Sequence, residues 1–410
     1  MQGFHTAMQA LSWMIAAAWL GKLVEAAAGF GAIPCLWAPE FDRAPEGNPS
    51  VAVVVPARNE AAKVRACIES LLLQDYANLK VIAVDDRSTD ATGSILDESE
   101  ASDQTGRLKV LHVGELPAGW LGKTHAMALA ARFAIDHYAV DYLLFTDADI
   151  QFSREALRRA LVAAIRSRAD HFVTLPTTIA KTWGEAMVLA YLQVLGMWAV
   201  RTWRVPDPKA KRDAIGVGAF NLLRTEAYQQ IGGFEALRME VLEDLTLGRL
   251  MKHQGFRQRV GIAPGLVSVH WAAGVTGIIR GMTKNFFAVF HYRLPVVLLA
   301  TTATAILCIG PAVGLAIPEA RLPSLLAWAG AAGMYAISRR ASWLSVWYAS
   351  LLPVAAALVV YAMLRSTLVT LVHGGVTWRG TFYSLDELRR HHAILQSQGS
   401  ERQPRSVQGT

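Results

Sequence analysis

The sequence predicts a large α/β domain, built on a mostly parallel sheet with helices on both faces, and transmembrane helices at both ends of the chain. Three observations predict it. From residue 51 to residue 149 short apolar runs alternate with helical periods, the ends of successive strands are acidic, and the remaining apolar residues crowd into two blocks, about 8–37 and 294–372. A chain of 410 residues exceeds one core, and 53% hydrophobic against 18% charged residues says that the surplus is membrane-type.

The first block, MQALSWMIAAAWLGKLVEAAAGFGAIPCLW, is too long for a signal-peptide core. Lys22 and Glu25 interrupt it one turn apart, where they can pair. Residues 1–40 are read as a membrane anchor; the alternative is an amphipathic helix on the membrane surface. A polar linker, PEFDRAPEGNPS, then leads into the α/β domain, assigned to 41–275. VAVVVP (51–56) is a buried parallel strand, and Ala61–Leu73 a helix with Val64, Ile68, Leu71 and Leu72 on one face. KVIAVDD (80–86) is the second strand. LKVLHV (108–113) and YLLFTDAD (142–149) follow, separated by a helix containing Ala126–Ala134.

The second half adds membrane features. TWGEAMVLAYLQVLGMWAVRTWR (182–204) and GIIRGMTKNFFAVFHYR (277–293) combine Trp or Phe with basic side chains, as helices lying in the headgroup layer do. For 182–204 the alternative is a core helix. An interfacial helix is expected over 276–293 and a transmembrane region over 294–372. A tail over 373–410 is expected in the cytoplasm, with a disordered end after about residue 395. If domain and tail share one side, an even number of crossings separates them, whereas Arg339 and Arg340 favour an inside loop midway. One apolar segment must then be interfacial or re-entrant.

Cys35, Cys67 and Cys308 lie too far apart in sequence for a metal or redox spacing, so a reducing, cytoplasmic catalytic domain is expected. The net charge of +7 suits a protein at an anionic leaflet. It carries no basic run interleaved with aromatics, which argues against a nucleic-acid partner.

Ligands of open parallel sheets sit at the carboxyl ends of strands, and here those ends carry Arg58, Asn59 and Glu60, then Asp85 and Asp86, then Asp147 and Asp149. In TDAD (146–149), residues two apart on an extended strand end point the same way, so Asp147 and Asp149 offer hard oxygen ligands to one spot, suited to Mg²⁺ or Mn²⁺. Asp85 and Asp86 have a plainer alternative as caps of the next turn. In LEDLTLGRLMK (242–252), Glu243 and Asp244 open an amphipathic helix, where capping is the plain alternative. GVGAFNLLR (216–224) lacks the third glycine of a dinucleotide fingerprint and does not open the first βα unit, so a Rossmann reading is rejected.

Taken together, PARNE (56–60), VDDRSTD (84–90), TDAD and the ED pair resemble the family-2 inverting glycosyltransferases of the GT-A fold. GWLGKTHAM (119–127) looks like the GWxGK element of membrane members acting on carotenoid, hopanoid or sphingoid lipids. The resemblance implies that Pro56, Glu60, Asp85, Asp86, Lys123 and Asp147 hold the donor. It implies that Asp147 and Asp149, with His270 as a further ligand, hold the metal, though a histidine beside Trp271 has a structural alternative. It places Gly218, Phe220 and Asn221 in the sugar and acceptor pocket, and makes Asp244, beside Glu243, the general base.

The function expected is metal-assisted, inverting transfer of one hexose from a nucleotide-diphosphate sugar, a UDP-sugar first, to a membrane-lipid or polyprenyl-linked acceptor. The protein would be multi-pass in the cell membrane. Processive synthases carry QxxRW after the ED helix, and this chain lacks it. A non-catalytic scaffold would be expected to lose its acidic residues. VTWRGTFY (376–383) resembles a WRGRxY element, with Thr381 in place of the second arginine.

Overall fold

A computed structural model describes residues 2–401 of the chain. They form two compact units, each assembled from separated stretches: Met1–Pro34, Thr177–Arg204 and His270–Val376 in one, and Cys35–Pro176, Val205–Val269 and Thr377–Thr410 in the other. The α/β domain expected over 41–275 therefore gives up 177–204 to the apolar unit and takes in chain from beyond the last apolar helix.

The second unit is built on a seven-stranded sheet. Its strand order is Leu108–Val113, Leu79–Asp86, Val51–Ala57, Tyr142–Phe145, Asn221–Arg224, His171–Leu175, Gln258–Ile262. All neighbours are parallel except Asn221–Arg224, which is antiparallel to both strands beside it. Alternation along Val51–Ala57 sorts the core: Val51, Val53 and Val55 pack with residues of the helices Val64–Leu72 and Ala156–Arg166. Ala52 and Val54 pack on the other side with Ala126, Ala130, Ala131 and Ala134 of the helix Gly122–Tyr138. Pro56 is buried in the central strand because the ladder to Tyr142–Phe145 has ended at Val54, so no neighbour there needs its missing N–H.

The strand expected over 142–149 stops at Phe145, and Ile150–Phe152 forms a second strand pairing with Val267–Val269. TDAD is thus a turn between two strands. Glycines then bring a loop onto the helix Glu243–His253: a Cβ at Gly248 would overlap the Ile215 carbonyl, and one at Gly216 the Asp244 carbonyl. Gly248→Ala is expected to destabilise the unit by about 1–3 kcal/mol through overpacking, read as a lower denaturation midpoint in detergent.

In the other unit, four helices among the described residues are long and apolar enough to cross a membrane: Thr6–Phe30, Trp183–Arg204, Leu294–Gly314 and Val346–Val372. Leucines and valines stand exposed along them, Leu299 and Val372 by 71% each, as lipid-facing side chains would. Lys22 and Glu25 do pair, at 3.0 Å, and Arg201 lies 3.4 Å from the same carboxylate. Gly330 and Gly333 of Arg321–Ser338 let Trp19 and Leu23 of the first helix approach closely.

The helix expected over 276–293 divides into Gly274–Met282 and Phe286–Val289. The helical run Leu294–Gly314 is irregular at one residue, Ile309, before Gly310 and Pro311. The tail is helical over Leu385–Glu401 rather than disordered from 395; residues 402–410 lie outside the described residues.

Strand pairing constrains how the chain threads a bilayer. Tyr142–Phe145 and Asn221–Arg224 are neighbours in one sheet, so the chain between them returns to the side it left, and Trp183–Ala199 is not a single crossing. Its Ala186–Tyr191 stretch is buried against other helices, closer to the core-helix alternative. Gln258–Ile262 and Thr381–Ser384 likewise belong to one unit.

Candidate active site

Four loops at the carboxyl ends of the parallel strands, together with the first turn of Glu243–His253, supply the polar residues. Two loops are knitted together by their own polar groups. Asn59 N–H donates to Ser88 Oγ (3.0 Å), Glu60 N–H to Thr92 Oγ1 (2.7 Å) and Ala61 N–H to Asp90 (3.2 Å), while Asn59 Oδ1 accepts from Thr89 N–H (2.8 Å). Asn59 and Arg87 both hold the left-handed conformation, with φ of 55°, where these turns reverse direction.

The two aspartates that end Leu79–Asp86 differ. Asp85 accepts Ser88 N–H at 3.1 Å, a turn cap, and lies 3.3 Å from His112 Nδ1. Asp86 is buried and faces two guanidinium groups, Arg87 Nε at 2.8 Å and Arg58 Nη1 at 3.8 Å. Close by, Arg58 Nε and His125 Nδ1 are shielded and find no hydrogen-bond partner among the described residues. Orphaned buried donors and acceptors of this kind are uncommon and mark places where a ligand can bond. Burial holds His125 below its usual pKa, so its ring is neutral near pH 7.

The acidic turn and the ED helix form one constellation. Lys123 Nζ lies 2.5 Å from Asp147 Oδ1 and 2.5 Å from Glu243 Oε1, so one ammonium joins the strand-end turn to the helix start. Asp244 Oδ2 accepts Gly218 N–H at 2.8 Å and Oδ1 accepts Leu245 N–H at 2.7 Å. Gly218 itself abuts Asp147: a Cβ there would stand 2.6 Å from Oδ2. Burial, then the like charge of Glu243, push the Asp244 carboxyl up to about 6, with Lys123 opposing them. The same carboxylates push the Lys123 ammonium upward against its burial, so it stays charged.

The other expected pocket residues support the loop. Phe220 is fully buried against Phe152, and Asn221 Oδ1 accepts Val217 N–H (3.2 Å) beside His171 Nε2 (3.1 Å). His270 belongs to the apolar unit, where its Nε2 lies 3.3 Å from Glu185 Oε2. Glu185 also accepts the N–H groups of Lys181 (2.7 Å) and Gly274 (2.6 Å), beside the Thr182 cap of its own helix.

Among the described residues no group of three His, Cys, Asp or Glu is placed to hold a metal. Asp147 and Asp149 do each hold a cation, Lys123 on the first and Lys63 Nζ at 2.9 Å on the second. Two hard carboxylates of this kind fit Mg²⁺ or Mn²⁺ bound through one or two carboxylates, with the remaining ligands from phosphate and water.

Local patterns did not single out Lys63, Arg379 or Tyr383. Arg379, in a turn with φ of 47°, meets Glu60 Oε1, Thr381 Oγ1 accepts from Arg58 Nη1 at 3.5 Å, and Tyr383 Oη accepts Gly122 N–H at 3.4 Å. The WRGTFY string was the available signal, and the threonine that departs from WRGRxY is the residue that Arg58 meets.

Residues 52–242 match glycosyl transferase family 2. Over 286 residues the chain is 25% identical to 4,4'-diaponeurosporenoate glycosyltransferase of Staphylococcus haemolyticus (strain JCSC1435), spanning 68% of this chain and 72% of that protein. Identity to the protein of that name from Staphylococcus aureus (strain bovine RF122 / ET3-1) is 24% over 241 residues, 58% of this chain and 60% of that one, under two thirds of its length. Mannosyltransferase PcManGT from Pyrobaculum calidifontis, solved with GDP-Man and Mn²⁺, aligns with a TM-score of 0.47 at 20% identity, over 89% of this chain and 99% of that one.

Proposed function

Residues 52–242 match glycosyl transferase family 2, and from that premise we propose that the protein is a member of the GT-A fold that transfers one hexose, with inversion, from a nucleotide-diphosphate sugar to a membrane-lipid or polyprenyl-linked acceptor. The observation that carries the reading is the constellation in which Lys123 and Gly218 tie the Asp147 turn to Asp244. Donor-binding residues and a base have to be held in fixed register for a displacement reaction, and these contacts hold them.

Glu60 and Asp86, from the two knitted loops, grip base and ribose, with Pro56 and Asp85 fixing the loops that carry them. Asp244 takes the proton of the acceptor hydroxyl as that oxygen bonds the anomeric carbon and the bond from carbon to the diphosphate oxygen breaks on the opposite face. A carboxyl near 6 is a stronger base than an ordinary one and remains ionised at neutral pH. Asp147 and Asp149 would hold Mg²⁺ or Mn²⁺, which when bound neutralises charge on the departing diphosphate. The name of the Staphylococcus relatives supports a lipid-like acceptor, and the four long apolar helices support a membrane setting. On this reading the catalytic unit faces the cytoplasm, where nucleotide sugars are made.

The acid limb of kcat/KM is expected near pH 6 rather than near 4, activity falling as pH drops through that value and Asp244 takes up a proton. Glu243→Gln removes the like charge and should move the limb to lower pH, measured as a pH–rate profile. The function itself is tested by calorimetric titration of the detergent-solubilised protein with UDP, UDP-glucose and GDP-mannose, with and without Mn²⁺. Metal-dependent binding of one donor supports the reading; binding of none overturns it.

A further inference from the structure

Asp149, one of the two carboxylates placed to hold a divalent ion, already carries a cation. The Lys63 ammonium lies 2.9 Å from its Oδ2. Lys63 is the residue just before the helix Val64–Leu72, and Ala62 alone separates it from the Arg58–Ala61 turn. Three backbone N–H groups of that turn donate to the Ser88–Thr92 loop, so the chain that carries Lys63 is held in place. What can move is the flexible stem of the side chain. It is 38% exposed, whereas the Asp149 carboxylate is 16% exposed: the cation stands on the open side of a largely shielded anion.

A divalent ion arriving alone meets this ammonium on the oxygen it needs, and like charges at that range repel. A nucleoside diphosphate alters the balance. Its phosphates bring negative charge with the ion and offer the displaced ammonium an anion to face, in a charge-assisted contact. Resting on the function proposed above, we propose that Lys63 occupies the cation position on Asp149 in the donor-free protein and withholds that carboxylate from divalent metal until a nucleoside diphosphate arrives. Metal and donor then bind as a pair, and Lys63 acts as a positioning residue on the order of binding.

The test measures metal occupancy rather than turnover. The full detergent-solubilised chain is titrated with Mn²⁺, free ion being followed by its paramagnetic resonance signal, without nucleotide and with saturating UDP or GDP. The wild-type protein is expected to bind Mn²⁺ weakly alone and much more tightly with one nucleotide. Lys63→Met should tighten binding of Mn²⁺ alone by about fivefold, the scale of a partly exposed ion pair, and shrink the nucleotide dependence by the same factor. Lys63→Arg, which keeps the cation, should behave as wild type and serves as the control for folding. Unchanged Mn²⁺ affinity in Lys63→Met, with nucleotide-dependent binding intact in wild type, overturns the role of Lys63 alone. Failure of the wild-type protein to bind Mn²⁺ with either nucleotide overturns the metal assignment and this proposal with it.

Discussion

Asp244→Asn is expected to lower kcat by about 10²- to 10⁴-fold while donor affinity stays within a factor of about two, because a general base contributes on that scale and the amide keeps the shape of the side chain. The stability of the variant is set by two opposed effects. Burial and Glu243 raise the Asp244 carboxyl to about 6, so the folded state favours its protonated form. Stability from that group is fully present below the unfolded value of 3.8 and is lost as pH rises through about 6. At neutral pH the neutral amide escapes that loss, but its NH2 must face Gly218 N–H or Leu245 N–H, each of which now donates to a carboxylate oxygen. Loss of turnover with a thermal midpoint within a few degrees of the parent is therefore the expected pair of results; loss of folding would mean that Asp244 serves the fold.

Lys123→Met is expected to act on both. Its side chain is 18% exposed and its ammonium is shared by Asp147 and Glu243, so its removal leaves two carboxylates and the nearby Asp244 without their common cation. Breaking a largely buried pair costs about 3 kcal/mol, which corresponds to a midpoint roughly 5–10 °C lower for a unit of this size. The Asp244 carboxyl would rise further, since Lys123 now lowers it, and the acid limb should move upward in pH, opposite in sign to Glu243→Gln. Adding Glu243→Gln to Lys123→Met should restore part of the midpoint, because the pair then leaves fewer bare charges. Scanning fluorimetry and a pH–rate profile of the three variants measure both effects.

How much of this was legible in the sequence follows from how local each contact is. The first three strands, the helices at 64–72 and 122–138 and the acidic strand ends were readable because periodicity and strand-end chemistry operate within a dozen residues; the helix Thr92–Ser102 was not read. Asp244 was readable for the same reason, as one of two carboxylates opening an amphipathic helix. What was missed is long-range. Lys63 meets a carboxylate 86 positions away and Arg379 one 319 positions away, and no local pattern encodes either pairing. Where an apolar helix is interrupted, local cues conflict: apolar content runs straight through Ile309, but Gly310 and Pro311 follow it. The exchange of 177–204 and 377–393 between units was also invisible, because apolar content marks a helix as membrane-type without saying which neighbours it returns to.

That exchange has a consequence for how the enzyme comes into being. Arg379 and Tyr383 leave the ribosome after every apolar helix of the chain, whereas Glu60 and Gly122, the residues they meet, emerge early. Domains fold in the order in which they are synthesised, so the sheet can form while its roof is still untranslated. In the membrane setting proposed above, only a polypeptide whose hydrophobic segments have been threaded, and whose trailing end has come back to the starting side, brings Arg379 to Glu60. Biogenesis on that reading ties completion of the proposed donor pocket to correct insertion, and a molecule stalled in the translocon would carry a folded sheet with an unfinished pocket.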